Sequence, residues 1–258
     1  MKRYFILATL FCCFIAPATA QTQATPATPA TPSRPAFRPY SKTFYTAHTE
    51  LFAEYRPLIL NTPARFTAHL TNVGDVFTAC TDAEVTLTLF IDGKEVWKQT
   101  LEHSVSQGVY RFPIKAETAG TGRVTIQLKK PAYSEKFTLD SVVVFADSSA
   151  AAGAQSRIPL NENPDEISYA KEKSWTETFA TALVETSHKH IIVKQTAILM
   201  ENGTSYVLVQ DDPEHFRKQQ VETGERIDKS VVIEMGLHSG ERIVVLGADK
   251  ISVAAMRR

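Results

Sequence analysis

A chain of 258 residues suffices for one or two domains, and its 28 Lys+Arg against 28 Asp+Glu leave no basic field with which to gather nucleic acid. Of its three cysteines, Cys12 and Cys13 sit in an N-terminal apolar run, which leaves Cys80 alone. One thiol makes neither an internal disulfide nor a cysteine-based metal site, so the core has no covalent staple. In chain order, Lys2-Arg3, an apolar run from Tyr4 to Ile15 and Ala18-Thr19-Ala20 read as a charged start, a short hydrophobic region and a small-x-small cleavage site. The run falls short of the roughly 20 apolar residues that span a bilayer. Residues 1–20 are therefore expected to be a signal peptide cleaved after Ala20, with export to the periplasm. The bulky residues before Cys12 and Cys13 argue against a lipid anchor. Residues 21–39 repeat Ala-Thr-Pro and read as an extended spacer, because proline fixes φ, lacks a donor and leaves nothing to build a core.

Short strands are expected from 40 to 147. Residues 64–70 alternate, and Val85, Leu87, Leu89 and Ile91 alternate with Thr86, Thr88 and Phe90. Asp92-Gly93 follows, a pair suited to the positive φ values of a type I′ turn, so 84–100 reads as a β-hairpin. Further strands are expected at 109–114, 123–128 and 137–145. Strands at this spacing predict an immunoglobulin-like β-sandwich, without the Cys…Trp…Cys pattern of antibody domains. Residues 148–165, rich in Ala, Ser and Asn, read as a linker. From 166 to 258 a second β-rich unit is expected. Its strands are placed at 176–186, 191–200, 205–210, 221–223, 231–234 and 243–246, with a hairpin turn at Asn202-Gly203. No long heptad or amphipathic helical pattern occurs, and the fold class is all-β.

Several pieces of the second unit occur in a telling order: Ala197-Ile198-Leu199, Gly203 to Val209, Val221-Glu222-Thr223-Gly224, Gly236-Leu237 with Gly240-Glu241-Arg242-Ile243-Val244, and Gly247-Ala248. Over about 55 residues this series resembles the membrane-proximal domain of periplasmic adaptors (membrane fusion proteins) of resistance-nodulation-division efflux pumps. His48 to Tyr55 and Arg65 to Thr71 resemble an additional N-terminal domain of heavy-metal adaptors, and 167–181 resembles the passage from it into the adaptor body. In that family a barrel, a lipoyl-like domain and a helical hairpin lie between the two regions. Here Val184 runs almost directly to Ile191. The resemblance thus implies a shortened adaptor that docks on an inner-membrane efflux transporter, beside a full-length adaptor, without itself contacting the outer-membrane channel. The alternative is a free periplasmic metal-binding protein.

Seven histidines invite a search for metal ligands. His48, Glu50 and His69 would form an imidazole-carboxylate site for a zinc-like ion if their strands pair, with Glu54 nearby. The other reading is a satisfied, partly buried His69 with glutamates at the surface. His188 and His190 share one face of an extended segment and read either as a weak two-histidine site or as a solvated edge. His103, His215 and His238 stand alone and are expected to face solvent. Met200, Met235 and Met256 are too dispersed for a thioether copper relay. At most weak zinc or copper binding is expected, and no cofactor. Nucleophile elbow, HExxH and phosphate-cradling loop are all missing from the sequence, so the chain is not expected to be an enzyme. Asp211-Asp212 before Pro213 reads as a polar turn. Trp97 and Trp175 read either as interface anchors or as packing residues.

Overall fold

The alternation seen in the sequence organises the N-terminal half into ten strands: β1 (Tyr40–Tyr45), β2 (Thr49–Tyr55), β3 (Leu58–Ile59), β4 (Ala64–Asn72), β5 (Thr78–Ala79), β6 (Glu84–Ile91), β7 (Lys94–Leu101), β8 (Val109–Ile114), β9 (Gly120–Lys129) and β10 (Ser134–Phe145). The computed structural model describes residues 37–159, 163, 165–187 and 190–255. The expected signal peptide, nearly all of the expected spacer, and His188 lie outside the described residues. The first sheet runs β1-β2-β4-β5, with β8 also paired to β4; the second runs β3-β10-β9-β6-β7. Leu51, Ala53, Phe66, Ala68, Leu70 and Phe112 of the first meet Val85, Leu87, Leu89, Val124, Ile126 and Phe137 of the second in one core. β2, β4, β6, β8 and β9 offer every second residue to that core, which is the sandwich expected from the pattern. Buried Tyr110 keeps its hydroxyl satisfied by donating to the Ala83 carbonyl at 3.0 Å, and burial pushes its pKa up to about 12. The β6–β7 turn carries Asp92 at φ 49° and Gly93 at φ 78°, the twist that a tight hairpin needs.

After the sandwich, residues read as linker form helix α1 (Ser148–Gln155). Alanine is the best helix former, and the Asp147 carboxylate caps the Ala150 amide at 2.8 Å. Gln155 exchanges two hydrogen bonds with the Arg38 backbone, at 3.0 and 2.7 Å. β11 (Glu166–Ser168) and a 3₁₀ turn at Lys171–Trp175 follow. The remaining strands are β12 (Ala180–Leu183), β13 (Thr186–Ser187), β14 (His190–Lys194), β15 (Leu199–Glu201), β16 (Thr204–Asp212), β17 (His215–Ile227), β18 (Ser230–Met235) and β19 (Arg242–Leu246), before helix α2 (Ala248–Ala255).

The second sheet system runs β12-β19-β16-β17-β18-β14-β13. β12 and β13 are separated only by Val184-Glu185, yet one pairs with β19 and the other with β14. The stretch 180–187 therefore joins both ends of the sheet and closes it into a small barrel. Val193, Val207, Val209, Phe216, Val221, Ile233 and Ile243 fill its interior, with Ala248 and Ile251 of α2 packed on it. Asn202 at φ 49° and Gly203 at φ 80° form the expected second hairpin turn. The chain is thus all-β in its sheets, a sandwich followed by a small β-barrel, and no helix among the described residues is long and apolar enough to cross a membrane.

Candidate functional site

The outer face of the first sandwich sheet is where the sequence placed its candidate ligands. In register, Glu50 lies opposite Thr71, Phe52 opposite His69 and Glu54 opposite Thr67. Leu51 and Ala53 point inward to the core, so these residues point away from it. An outward face of a sandwich is ordinarily wet, yet Glu50, Phe52, His69 and Thr71 are all buried. Their cover is the 3₁₀ turn Lys171–Trp175 and the wall of the barrel. Lys171 Nζ pairs with Glu50, and both side chains are 0% exposed. The Thr71 hydroxyl donates to Glu50 at 3.2 Å and accepts from the Trp175 indole at 3.0 Å. The Lys171 amide donates to the Glu214 carboxylate at 2.9 Å. Burial raises the Glu214 carboxyl above its ordinary range, and the charge of Glu54 adds to the effect, outweighing the Lys171 amide.

Apolar contacts continue this seam. Phe77, from the loop between β4 and β5, belongs to the barrel core, and its amide donates to the Phe179 carbonyl at 2.8 Å. Phe77, Phe179 and Phe216 form successive edge-to-face contacts with centroids 6.1 and 6.2 Å apart. Tyr45 of β1 donates its hydroxyl to Gln210 of β16 at 3.0 Å, and the Arg242 guanidinium lies 3.6 Å from its ring centre. Burial, followed by the neighbouring Glu50 charge, pushes the Tyr45 phenol well above its ordinary pKa.

The three candidate metal ligands enter different surroundings. His48 is exposed and lies over the Tyr133 ring at 4.8 Å. Glu50 is held by Lys171 and Thr71. His69 is buried, with Nε2 3.2 Å from Glu54 and Nδ1 3.6 Å from Glu172. Among the described residues, no group of three or more His, Cys, Asp or Glu stands in a geometry suited to a metal ion. His190 is exposed on β14. His215 has partners: its Nδ1 lies 2.8 Å from Asp212 and its Nε2 3.7 Å from Glu166. Asp212 also accepts the amides of Glu214 and His215, so the Asp-Asp-Pro turn is built rather than merely solvated. Trp175 is a packing residue in the seam. The sequence offered no signal for Lys171, because Lys171-Glu172-Lys173 is a charged stretch that reads as surface.

The barrel explains the spacing of the glycine motif. Glu241 accepts the His238 amide at 2.7 Å and binds Arg217 at 2.7 Å, which pins the loop 236–241 to β17. Burial alone would raise the Glu241 carboxyl; the amide and the guanidinium prevail and hold it below the usual range. The outer surface exposes Leu183, Ile192, Met200, Ile227 and Met235. Gln195, Ile198, Met200, Thr223, Arg226 and Val231 line a cleft of about 190 Å³ between the strands.

Residues 190–250, β14 to α2, match the family described as RND MFPs, C-terminal permuted SH3 domain. Relatives named Multidrug resistance protein MdtA, from Salmonella typhimurium and Cronobacter turicensis, are each 33% identical over 76 residues, which is 30% of this chain and 18% of theirs. The protein of the same name from Klebsiella pneumoniae is 32% identical over the same length. The chain spans less than a fifth of the length of these curated relatives. The barrel is thus similar to the C-terminal domain of resistance-nodulation-division membrane fusion proteins.

Proposed function

We propose that the chain is an exported, non-enzymatic adaptor-type component of a tripartite efflux system, which docks on the periplasmic side of an inner-membrane transporter through residues 176–251. The observation that carries this reading is the coincidence of a small barrel built from strands at 180–246 with the adaptor-like sequence at 190–250. Exposed Ile192, Met200, Ile227 and Met235 supply apolar contact area on that barrel. Only six residues stand between Val184 and Ile191, where the adaptors it resembles carry their barrel, lipoyl and helical parts. A component of this form reaches the transporter and a full-length adaptor beside it, and leaves the outer-membrane channel to that adaptor. The relatives' name speaks of multidrug resistance and the N-terminal resemblance of heavy-metal efflux, so the cargo is a drug or a cation.

Co-purification from crosslinked cells tests the reading: the transporter is expected with the chain, and deletion of the gene is expected to alter efflux. Recovery of no transporter, together with unchanged efflux, would reject it. Zinc titration of the exported protein separates it from a free metal carrier. Weak binding at most is expected, because Glu50 is committed to Lys171 and His48 lies on Tyr133. Tight binding abolished by joint His48→Ala and His69→Ala substitution would favour the carrier.

A further inference from the structure

Among the described residues, Lys171 and Glu50 are the only ion pair with both side chains wholly buried. They come from opposite sides of the seam: Glu50 from β2 of the sandwich, Lys171 from the turn that leads into the barrel. Glu50 Oε2 and Lys171 Nζ are both buried without a hydrogen-bond partner among the described residues, so each charge has mainly the other for compensation, with the Trp175 ring 5.7 Å from Lys171 Nζ. A buried pair of this kind adds little net stability, because desolvation offsets the attraction. Its effect lies in what it forbids. If the barrel slid along the sheet while staying docked, each charge would be buried without a counter-ion, the costliest arrangement available. Complete separation would return both charges to water.

We propose that Glu50 and Lys171 form a registry latch: the sandwich and barrel either dock in one position or come apart, with no shifted docked state between. The rest of the seam fits this role. The side chains of Phe52, Phe77, Phe179 and Phe216 are apolar and buried, and apolar contact alone is far less sensitive to register than the charge pair. The Trp175–Thr71–Glu50 hydrogen-bond chain ties the turn to the same carboxylate.

Hydrogen exchange and distance measurement on the full exported chain test the proposal. The Phe77 amide, bonded across the seam to Phe179, reports undocking, while Leu87 and Ile126, paired within the sandwich, report global unfolding. Glu50→Leu and Lys171→Met alone are each expected to speed exchange at Phe77 by about a hundredfold or more, with Leu87 and Ile126 much less affected. The double variant is expected to recover protection at Phe77 to within about tenfold of the parent. It is also expected to broaden the distance distribution between spin labels at Lys98→Cys and Lys194→Cys, because the hydrogen bonds that remain across the seam, Phe77 to Phe179 and Tyr45 to Gln210 among them, penalise a shifted docking less than buried unpaired charges do. Cys80 is buried and does not compete for label. Unchanged exchange at Phe77 in both single variants would overturn the latch, as would equal acceleration at Leu87 and Ile126. So would a double variant with a distance distribution as narrow as the parent's, since shape alone would then set the register. If the single variants fail to fold, the double variant's distance distribution decides on the same terms.

Discussion

His215 shows how a histidine that looks isolated in sequence is recruited once β11 and the β16–β17 turn meet. Burial works to lower its pKa, but the Asp212 hydrogen bond and the charges of Asp212, Glu166 and Glu214 prevail, and the net shift is upward. A histidine whose folded pKa is raised contributes stability that is fully present below its unfolded value of about 6.5 and is lost as pH rises through the higher folded value. The site is about a third exposed, so the contribution is screened to about 0.5–1 kcal/mol. His215→Gln is therefore expected to lower urea-unfolding stability by that amount at about pH 5.5 and by close to nothing at about pH 8.5. An equal deficit at both pH values would show that the imidazolium is not the species held. At this scale the sequence was partly legible. His69 was weighed as a ligand or a satisfied buried residue; the structure pairs its Nε2 with Glu54 at 3.2 Å and leaves its buried Nδ1 without a hydrogen-bond partner among the described residues. The role of Lys171 was not legible, since its partner lies 121 positions away in the chain and no local pattern encodes such a contact.

At the scale of elements, both tight turns were readable because Asp-Gly and Asn-Gly supply the required backbone locally. β6 and β8 were readable because their alternation is clean, and β19 because its short apolar run stands between Gly240 and Gly247. β17 was foreseen only at 221–223 yet extends over thirteen residues. Its flanks are polar, and their pairing with β16, β18 and β11 is set by tertiary context rather than by hydrophobic period. The Ala/Ser run of α1 was read as linker because its composition suits both states, and Asp147 and Gln155 decide for helix. The 3₁₀ turn depends on a glycine in another element. Gly108, at φ 70°, lies under Trp175, and a Cβ there would meet the indole at 2.8 Å. Gly108→Ala is expected to cost about 1–3 kcal/mol in thermal or urea unfolding, through overpacking and an unfavourable positive φ. A neutral result would show that the turn shifts away freely, and would weaken the account of the seam.

For the whole molecule, the all-β class followed from alternation, turn chemistry and the absence of heptads, all of which are local signals. Closure of the barrel by 180–187 was not legible, because one short stretch pairs on both sides at different residues and its sequence looks like a single strand. The seam was equally hidden: its members, from Tyr45 to Arg242, are scattered along nearly the whole described chain. The central claim is that the barrel is a docking module for an inner-membrane efflux transporter. A photo-reactive residue placed singly at Ile192 or Met200 on the barrel, and at Lys98 on the sandwich edge, tests this in intact cells. The account predicts crosslinks to the transporter from Ile192 or Met200 and none from Lys98. Crosslinks to the transporter from Lys98 alone, or from none of the three positions, would contradict it.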